Sequence, residues 1–265
     1  MKKFELTAES KINIFGKKLF RIKALISFGD VEEGETGGWI EKEENLEQSS
    51  GNAWVSGDAE VYGNARVSGN AEVSGNARVY GNARVSGNAR VYGNAEVYGD
   101  AEVYGNAWVS GNARVSGNAR VSGNAGVSGD AEVSGNAWVS GDARVSGNAG
   151  VSGNAWVSGD ARVSGNAGVS GDAEVSGNAR VSGNAEVYGN ADYTTIHGFG
   201  TQFRTTTFFQ CEDKQIRVSC GCFLGTIPEF REQVKNTREG KIAEEYLMIA
   251  DLMEKHFVKE KESGE

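Results

Sequence analysis

A six-residue repeat keeps its phase for more than half of this sequence and leaves few folds open to the chain. From Gly51 the chain follows Gly-(Asn/Asp)-Ala-x-Val-(Ser/Tyr), and steps of six up to Gly189 make 24 hexads without an insertion. Alanine fills the third position every time, and valine fills the fifth until Tyr193 replaces it in the last hexad. A fixed period of this kind predicts a stacked repeat architecture.

Each hexad predicts a short strand followed by a corner. In Ala-x-Val, alanine and valine face one side of the strand and x faces the other. Ser/Tyr-Gly-Asn/Asp predicts the corner, because glycine adopts positive φ without penalty and Asn and Asp tolerate left-handed geometry. A strand this short cannot bury its apolar side alone, so the hexads must coil and stack. Three hexads per coil predict a triangular prism of eight coils with an Ala/Val interior, roughly 38 Å long at about 4.8 Å per coil.

The run GNARVSGNAEVSGNARVYGNA resembles the hexapeptide repeat of left-handed parallel β-helix proteins, the fold of many acyltransferases. The resemblance covers residues 51–194 and implies an all-β solenoid, a left-handed parallel β-helix of about eight triangular coils. The left hand is implied by the resemblance alone, since the general rule for parallel crossovers favours the right hand. FGDVEEGETGGWIEKEENLEQSSGNAWV before the repeat, and TTTFFQCEDKQIRVSCGCFLGTIPEFREQV after it, are similar to segments of uncharacterised hexapeptide-repeat proteins of bacteria, phages and prophages.

Residues 1–50 are predicted to form a β-rich cap, because the open strand edges of the first coil would otherwise template aggregation. We expect strands at residues 4–6, 12–15 and 19–26, with Gly16-Lys17 as a hairpin turn. The pair Gly37-Gly38 is expected to let the ring of Trp39 fold over the end of the core.

Residues 195–265 are predicted to form a small α+β cap, with a hairpin of residues 205–210 and 215–219 and then two helices. The first helix begins with a capping box, Thr226 to Glu229, and the second spans about 241–259. A helical stripe on the second helix is interpreted as packing against the rod or the first helix, with a cofactor or partner surface as the alternative. The stripe comprises Ile242, Tyr246, Ile249, Met253 and Phe257. Residues 259–265 are expected to be a frayed terminus.

Three hexads per coil place positions 18 apart on one face, which sorts the outward x residues into three ladders. The first ladder is Trp54, Glu72, Arg90, Trp108, Gly126, Arg144, Arg162 and Arg180. The second ladder is Glu60, Arg78, Glu96, Arg114, Glu132, Gly150, Gly168 and Glu186. The third ladder is Arg66, Arg84, Glu102, Arg120, Trp138, Trp156, Glu174 and Asp192. The second ladder alternates in sign over five coils, which we interpret as structural.

The outward positions also predict a candidate interaction surface. Trp138 and Trp156 are expected to be adjacent and exposed, and tryptophan is enriched at interfaces, so we expect them to contact a partner or a second copy. Two pairs lie at a similar height on the other faces: Gly150 with Gly168, and Arg144 with Arg162. Three tyrosines are expected to stack at one corner, either as reinforcement of the ladder or as a binding strip. They are Tyr62, Tyr80 and Tyr98.

Catalysis is not expected. The resemblance implies that acyltransferases of this fold use a histidine near a subunit interface and often a loop that protrudes from a coil, and that its carbonic anhydrases need three histidines for zinc. The repeat here has no histidine and no inserted loop, and the two histidines, His197 and His256, follow it. A lone histidine is more often structural than a general base.

Cofactors are not expected either. Cys211, Cys220, Cys222 and His197 together are the candidate metal ligands, but Cys-x-Cys with a remote third cysteine lacks the paired Cys-x2-Cys of structural zinc sites. We favour buried thiols in a small β cap. An odd count of three cysteines fits a reducing cytosol.

The charge and hydropathy of the sequence limit the classes of partner and the cellular location to be expected. The net charge of −9 argues against nonspecific binding to nucleic acids or anionic membranes. Residues 51–192 carry 9 Arg against 14 Asp and Glu, a net of −5, far below the roughly 22 charges that a DNA mimic of this length needs. No secretory leader and no apolar stretch of membrane-spanning length is visible, so a cytoplasmic location is expected.

These observations predict a non-catalytic rigid scaffold or binding protein, encoded by a phage or prophage, that sequesters a host protein or small molecule. The alternative is a virion-associated structural protein, and a hexapeptide acyltransferase is less favoured. The analogy with trimeric hexapeptide enzymes implies a homo-oligomer, with a trimer as the form to expect. The terminal modules, with Phe199, Phe203 and Arg204, are candidates for carrying specificity.

Overall fold

The computed structural model describes residues 2–201, 203–211 and 213–257, without the side chain of Arg204, and it is a β-solenoid of about eight turns with a cap at each end. Strands β1 (Phe4–Ile12), β2 (Lys18–Ala24) and β3 (Thr36–Ile40) precede the repeat, and a short 3-10 helix, Glu43–Asn45, follows β3.

Each of the first 23 hexads contributes one two-residue strand made of its outward residue and its valine. These strands, β4 to β26 in chain order, are Trp54–Val55, Glu60–Val61, Arg66–Val67, Glu72–Val73, Arg78–Val79, Arg84–Val85, Arg90–Val91, Glu96–Val97, Glu102–Val103, Trp108–Val109, Arg114–Val115, Arg120–Val121, Gly126–Val127, Glu132–Val133, Trp138–Val139, Arg144–Val145, Gly150–Val151, Trp156–Val157, Arg162–Val163, Gly168–Val169, Glu174–Val175, Arg180–Val181 and Glu186–Val187.

The strands stack into three parallel sheets, each carrying one of the predicted ladders. The first sheet runs in steps of three from β4 to β25, the second from β5 to β26, and the third from β6 to β24. Partners are 18 residues apart, as in the pairing of Trp54 with Glu72 and of Val55 with Val73. Three hexads per coil are therefore confirmed. The strand pairing gives the stacking order, and the left hand of the coil stays a prediction.

The last hexad departs from the predicted ladder. Residues Asn190–Asp192 form a 3-10 helix, so Asp192 does not extend the third ladder as predicted. Its carboxylate instead accepts hydrogen bonds from the backbone N–H groups of Tyr188 and Gly189, at 3.0 and 3.1 Å. Tyr193 stands where the valine of a hexad would enter the core, and it begins the next strand.

The alanines and valines of the repeat fill the prism. From Ala53 to Val187 every one of them is at most 1% exposed, and full burial of a valine side chain contributes about 1.5–3 kcal/mol. The corners require glycine for two reasons, which Gly105 illustrates. Its φ is 75°, and a Cβ there would lie 3.0 Å from the backbone nitrogen and oxygen of Gly123 in the next coil.

The hydrogen bonds between coils give the rod two different ends. The N–H groups of the outward residue, of the Ser/Tyr and of the Asn/Asp donate to carbonyl oxygens of the next coil. Examples are Trp54 N to Ala71 O at 3.0 Å and Ser56 N to Val73 O at 2.9 Å. The first coil is therefore left with carbonyl oxygens to satisfy, and the last coil with N–H groups.

The caps match this polarity. At the first coil, side-chain donors reach the carbonyls: Lys3 Nζ to Ala53 O at 3.1 Å, Arg21 to Gly57 O at 3.0 Å, and Asn45 Nδ2 to Ala65 O at 2.8 Å. At the last coils, side-chain oxygens accept from N–H groups: Thr207 from Arg180 at 3.0 Å and Asn190 from Glu174 at 2.8 Å. Each end is thus covered by groups of the opposite hydrogen-bonding type.

The N-terminal cap extends the second sheet. Strands β1 and β2 form an antiparallel hairpin, and β2 pairs antiparallel with β3. β3 pairs in parallel with β5, Trp39 opposite Glu60, so the parallel stacking begins before the repeat. The predicted strand at 12–15 is wrong beyond Ile12. Asn13 Oδ1 accepts the N–H groups of Phe15 and Lys17, at 3.0 and 2.9 Å, which closes a turn there.

The predicted position of Trp39 is also wrong. Successive residues of a strand face opposite sides, so Ile40 enters the core and Trp39 faces outward. Its ring packs in a separate cluster with Leu19 and Tyr62. Phe4, Ile22 and Leu46 join the core cluster at this end of the prism instead.

The C-terminal cap is a four-stranded antiparallel sheet with two helices. Its strands are β27 (Tyr193–Phe199), β28 (Arg204–Gln210), β29 (Ile216–Cys220) and β30 (Phe223–Thr226), and its helices are α1 (Ile227–Thr237) and α2 (Gly240–His256). The predicted hairpin is β28 with β29.

The capping box at Thr226 is confirmed. Its backbone N–H donates to Glu229 Oε2 at 2.7 Å, and Thr226 Oγ1 accepts from the Glu229 N–H at 3.4 Å. The stripe on α2 packs into a cluster with Phe208, Phe230 and Val234, which confirms the packing interpretation. The predicted frayed segment, 259–265, lies outside the described residues.

Among the described residues, no helix is both long enough and apolar enough to cross a membrane.

Candidate interaction surface

The two tryptophans of the third ladder stack as their register predicts. The ring centroids of Trp138 and Trp156 are 5.2 Å apart, with 7° between the ring planes. Each indole N–H donates to a serine on the preceding coil: Trp138 to Ser122 Oγ and Trp156 to Ser140 Oγ, both at 3.0 Å. Trp156 is 39% exposed, and Trp138 is partly buried. The pair therefore presents apolar surface whose polar atoms are already satisfied.

The two glycines of the second ladder form a step on the adjoining sheet. Gly150 pairs with Gly168 across the parallel register, and a Cβ on either residue would meet nothing within 4 Å. The third outward glycine, Gly126, differs, because a Cβ there would lie 2.3 Å from the ring of Trp108. The step of Gly150 and Gly168 is thus open, whereas Gly126 is covered.

The arginines of the first ladder lie at the same height on the remaining sheet. Arg144 pairs with Arg162, and Arg162 with Arg180, along the sheet. Arg180 donates to the carbonyl of Gly221 in the C-terminal cap at 3.0 Å. Neither Arg144 nor Arg162 forms an ion pair within 4.0 Å in the described part of the chain. This face therefore carries exposed positive charge.

Only some of the alternating charged residues of the second ladder form ion pairs. Arg78 contacts Glu96 at 3.3 Å, and Glu60 is held by Lys11 of the hairpin at 2.8 Å. Arg114 and Glu132 are exposed and have no ion pair among the described residues. Exposed pairs of this kind contribute about 0–1 kcal/mol each.

The tyrosine corner is a continuous stack. Tyr62, Tyr80 and Tyr98 have centroids 5.0 Å apart, with ring planes within 3° of each other, and Phe15 of the hairpin turn packs on the first two. Tyr62 is only 5% exposed. Burial raises the pKa of Tyr62 well above its usual range, and raises the pKa of Tyr80 to about 12 with help from the Glu96 carboxylate. Much of this strip is therefore enclosed, and Tyr62 is not an exposed contact residue.

The corners carry amide ladders that the sequence reasoning missed. From Asn64 to Asn166, the side chain of each Asn of the hexads donates to the Asn or Asp 18 residues later, as from Asn106 to Asn124 at 3.0 Å and from Asn124 to Asp142 at 2.8 Å. A carboxylate only accepts, so a ladder stops wherever it reaches an aspartate, as at Asp100, Asp130, Asp142 and Asp172. The signal was present in the strict Asn/Asp choice at the second position of the hexad.

The structure does not bring the candidate metal ligands together. Cys211 is buried at the turn between β28 and β29, and burial raises the pKa of its thiol. Cys220 accepts from Thr206 Oγ1 at 3.1 Å at the opposite end of β29, and Cys222 is exposed. Within residues 2–201, 203–211 and 213–257, no group of three or more Cys, His, Asp or Glu side chains could hold a metal ion.

Several cavities lie on the described part of the C-terminal cap. One, of about 430 Å³, is lined in part by His197, Phe203 and Cys222, and the ring of His197 contacts Thr205 Oγ1 at 3.2 Å. Phe203 has a positive φ of 47° and is 65% exposed, whereas Phe199 is partly buried. The side chain of Arg204 lies outside the described residues.

The parallel register, the Ala/Val core and the capped ends define the class of this molecule: it is a β-solenoid repeat protein. Comparison with protein families agrees, because the YdcK beta-solenoid repeat family matches six stretches of the hexad region. These are residues 59–75, 71–85, 83–99, 113–129, 143–159 and 155–171. The chain is similar to that repeat family along these stretches. No curated protein gives a significant match to the chain.

Proposed function

We propose that this protein is a non-catalytic rigid scaffold or binding protein, encoded by a phage or prophage, that acts in the host cytoplasm through contacts with a host protein or a small molecule. The observation that carries the proposal is the unbroken Ala/Val core, which runs from Ala53 to Val187. Because every coil repeats the same interior, recognition is left to the outward side chains and the caps.

Two features support a binding role over a purely structural one. The Trp138–Trp156 pair exposes apolar surface on a rod whose other outward residues are mostly charged. Phe203 exposes its ring at a turn with a backbone conformation that a bulky residue rarely adopts. Exposed aromatic groups of this kind are common at protein interfaces.

Native mass spectrometry of the full chain, purified gently from the kind of cell that encodes it, tests the proposal. A retained host protein or small-molecule mass supports a binding role. Phe203→Asn is the matched variant, because Asn tolerates positive φ and the fold should persist. A ligand that is lost in this variant assigns recognition to the C-terminal cap. Recovery of the chain only in purified particles, at fixed stoichiometry, would overturn the proposal in favour of a virion component.

A further inference from the structure

The longest run of one charge along a ladder lies on the first sheet. Arg144, Arg162 and Arg180 occupy the outward positions of three neighbouring strands, and no other ladder carries three like charges in succession. We call these three residues the arginine row. Elsewhere an arginine commonly faces a glutamate on the next strand, as Arg84 faces Glu102 at 3.4 Å. Like charges in directly opposed positions destabilise a sheet, so the row lowers the stability of the isolated rod.

The described part of the chain does not neutralise the arginine row. All three side chains are exposed, and none forms an ion pair within 4.0 Å among the described residues. Asp142 and Asp160 lie at the preceding corner and also form no ion pair with the row at that distance. One hexad after the first two arginines come Gly150 and Gly168, so these positions of the second sheet supply no carboxylate. The guanidinium groups therefore remain available to an external anion.

The arginine row ends at a cavity between the last coils and the C-terminal cap. Arg180 lines this cavity of about 430 Å³ together with His197 and Thr205, and no described Asp or Glu lines it. A second cavity of the cap, of about 510 Å³, is lined in part by Asp213 and Glu229. The surface that continues the row thus carries polar groups without a competing negative charge.

We propose that the arginine row binds an acidic helix of a partner protein. Neighbouring strands of the row are about 4.8 Å apart, and side chains three and four residues apart on a helix are about 5–6 Å apart. Carboxylates on one face of a helix that lies along the rod therefore meet successive guanidinium groups, and such pairs are among the strong hydrogen bonds of proteins. This inference rests on the proposed function, because it names the chemistry of the protein partner.

A nucleic acid fits the arginine row less well than an acidic helix does. The net charge of −9 repels a phosphate polymer at long range. The row spans about 10 Å along the rod, and a duplex carries about six charges over that length, twice the number of arginines. One face of a helix presents about three carboxylates over the same length, which matches the row.

Fluorescence anisotropy of the full chain at low salt, with a labelled alanine-rich peptide, tests the proposal. The peptide carries glutamates at alternate spacings of three and four residues, so that they share one face of a helix. The test variant is Arg144→Gln with Arg162→Gln, which keeps much of each side chain and removes two charges. The matched control is Arg66→Gln with Arg114→Gln, which removes the same charge from two exposed arginines on the other sheets that form no ion pair among the described residues.

The expected result is a dissociation constant raised at least about fivefold in the test variant and changed less than about twofold in the control. Urea unfolding should show the test variant to be at least as stable as the wild type, because a repulsion is removed. The proposal is overturned if the wild-type chain does not bind the peptide or if both variants weaken binding equally. It is also overturned if a single-stranded oligonucleotide of equal charge binds the wild type more tightly than the peptide does.

Native mass spectrometry of the test variant separates this inference from the proposed function. A host protein that the wild type retains and the test variant loses supports both. A host protein that both retain equally leaves the proposed function standing and overturns the inference. If the wild type retains neither a host protein nor a small molecule and yet binds the peptide through the arginine row, the proposed function fails and the acidic-helix site stands.

Discussion

The side-chain amide of Asn124 donates to Asp142 at 2.8 Å, and the ladder ends there, because the Asp142 carboxylate has no hydrogen to pass on to Asp160. Asp142 and Asp160 occupy the same corner of consecutive coils. Two negative charges therefore adjoin at this point, whereas the preceding coils of the corner, from Asn70 to Asp142, are joined by hydrogen bonds. Like charges in directly opposed positions destabilise a sheet.

The substitution Asp142→Asn should stabilise the protein. The new amide is able to donate to Asp160, and one of two adjacent negative charges is removed, so we expect a gain of about 0.5–1 kcal/mol. Urea unfolding followed by circular dichroism measures it. Asp100→Asn is the control, because it extends a ladder toward Asn118 without relieving a repulsion and should gain less. Equal gains would show that charge repulsion contributes nothing at this corner.

Two glycine substitutions should differ sharply. Gly105→Ala forces a Cβ into a residue with φ of 75° and to within 3.0 Å of the Gly123 backbone, so we expect a loss of about 1–3 kcal/mol. Gly150→Ala adds a methyl group in open space at an extended position, so we expect no loss or a gain of up to about 1 kcal/mol. Chemical denaturation of both variants gives the comparison, and similar values would contradict the strain argument.

Lys3 should hold the first coil together. Its Nζ donates to the carbonyls of Ala53 and Gly51, at 3.1 and 3.4 Å, and burial lowers the pKa of the amine. Lys3→Met keeps much of the apolar stem and removes the donor, so unpaired carbonyls should cost about 1–3 kcal/mol locally. Hydrogen exchange should rise in the first coil but not in the middle of the rod. Uniform exchange changes along the rod would contradict a local capping role.

The stacked tyrosines Tyr62 and Tyr80 should ionise at a higher pH than ordinary tyrosines. Burial raises the pKa of Tyr80 to about 12, from an ordinary value of 10. Because the folded protein favours the neutral phenol of Tyr80, the contribution of this group to the free energy of unfolding is complete below pH 10 and is lost as the pH rises through 12. An absorbance titration of phenolate should show a late component that Tyr80→Phe reduces. Tyr92→Phe, an exposed tyrosine on another corner, should leave that component unchanged.

Much of the fold could be predicted from the hexad alone. Gly51 to Val187 keep one period, so the three-sheet register and the Ala/Val interior followed from counting positions. Thr226 and Glu229 likewise predicted the start of α1, because a capping box acts within four residues. Where the pattern broke, prediction failed: Trp39 faces outward rather than over the core, and Asp192 caps backbone N–H groups rather than extending a ladder.

The candidate surface could likewise be predicted only in part from the sequence. The adjacency of Trp138 and Trp156 followed from the period, because identical coils must stack in register. The hydrogen bonds from their indole N–H groups to serines depend on the side-chain conformations of the tryptophans. The burial of Tyr62 depends on where the N-terminal hairpin packs on the rod. Sequence spacing contains neither kind of information.

The hexad is sufficient to specify the coil, because a six-residue period with glycine at each corner and Ala and Val inside has one way to bury its apolar side. How the rod ends and which outward positions remain open follow from contacts that form only in the folded molecule. The hydrogen bonds between coils all point the same way along the rod, so its two ends need caps of different kinds. Lys3 donates to a carbonyl of the first coil, and Thr207 accepts an N–H group near the last coil. Gly126 is covered whereas Gly150 is open, because only the former has an indole on a neighbouring strand. Those outcomes depend on contacts between residues distant in sequence, and no local pattern encodes them.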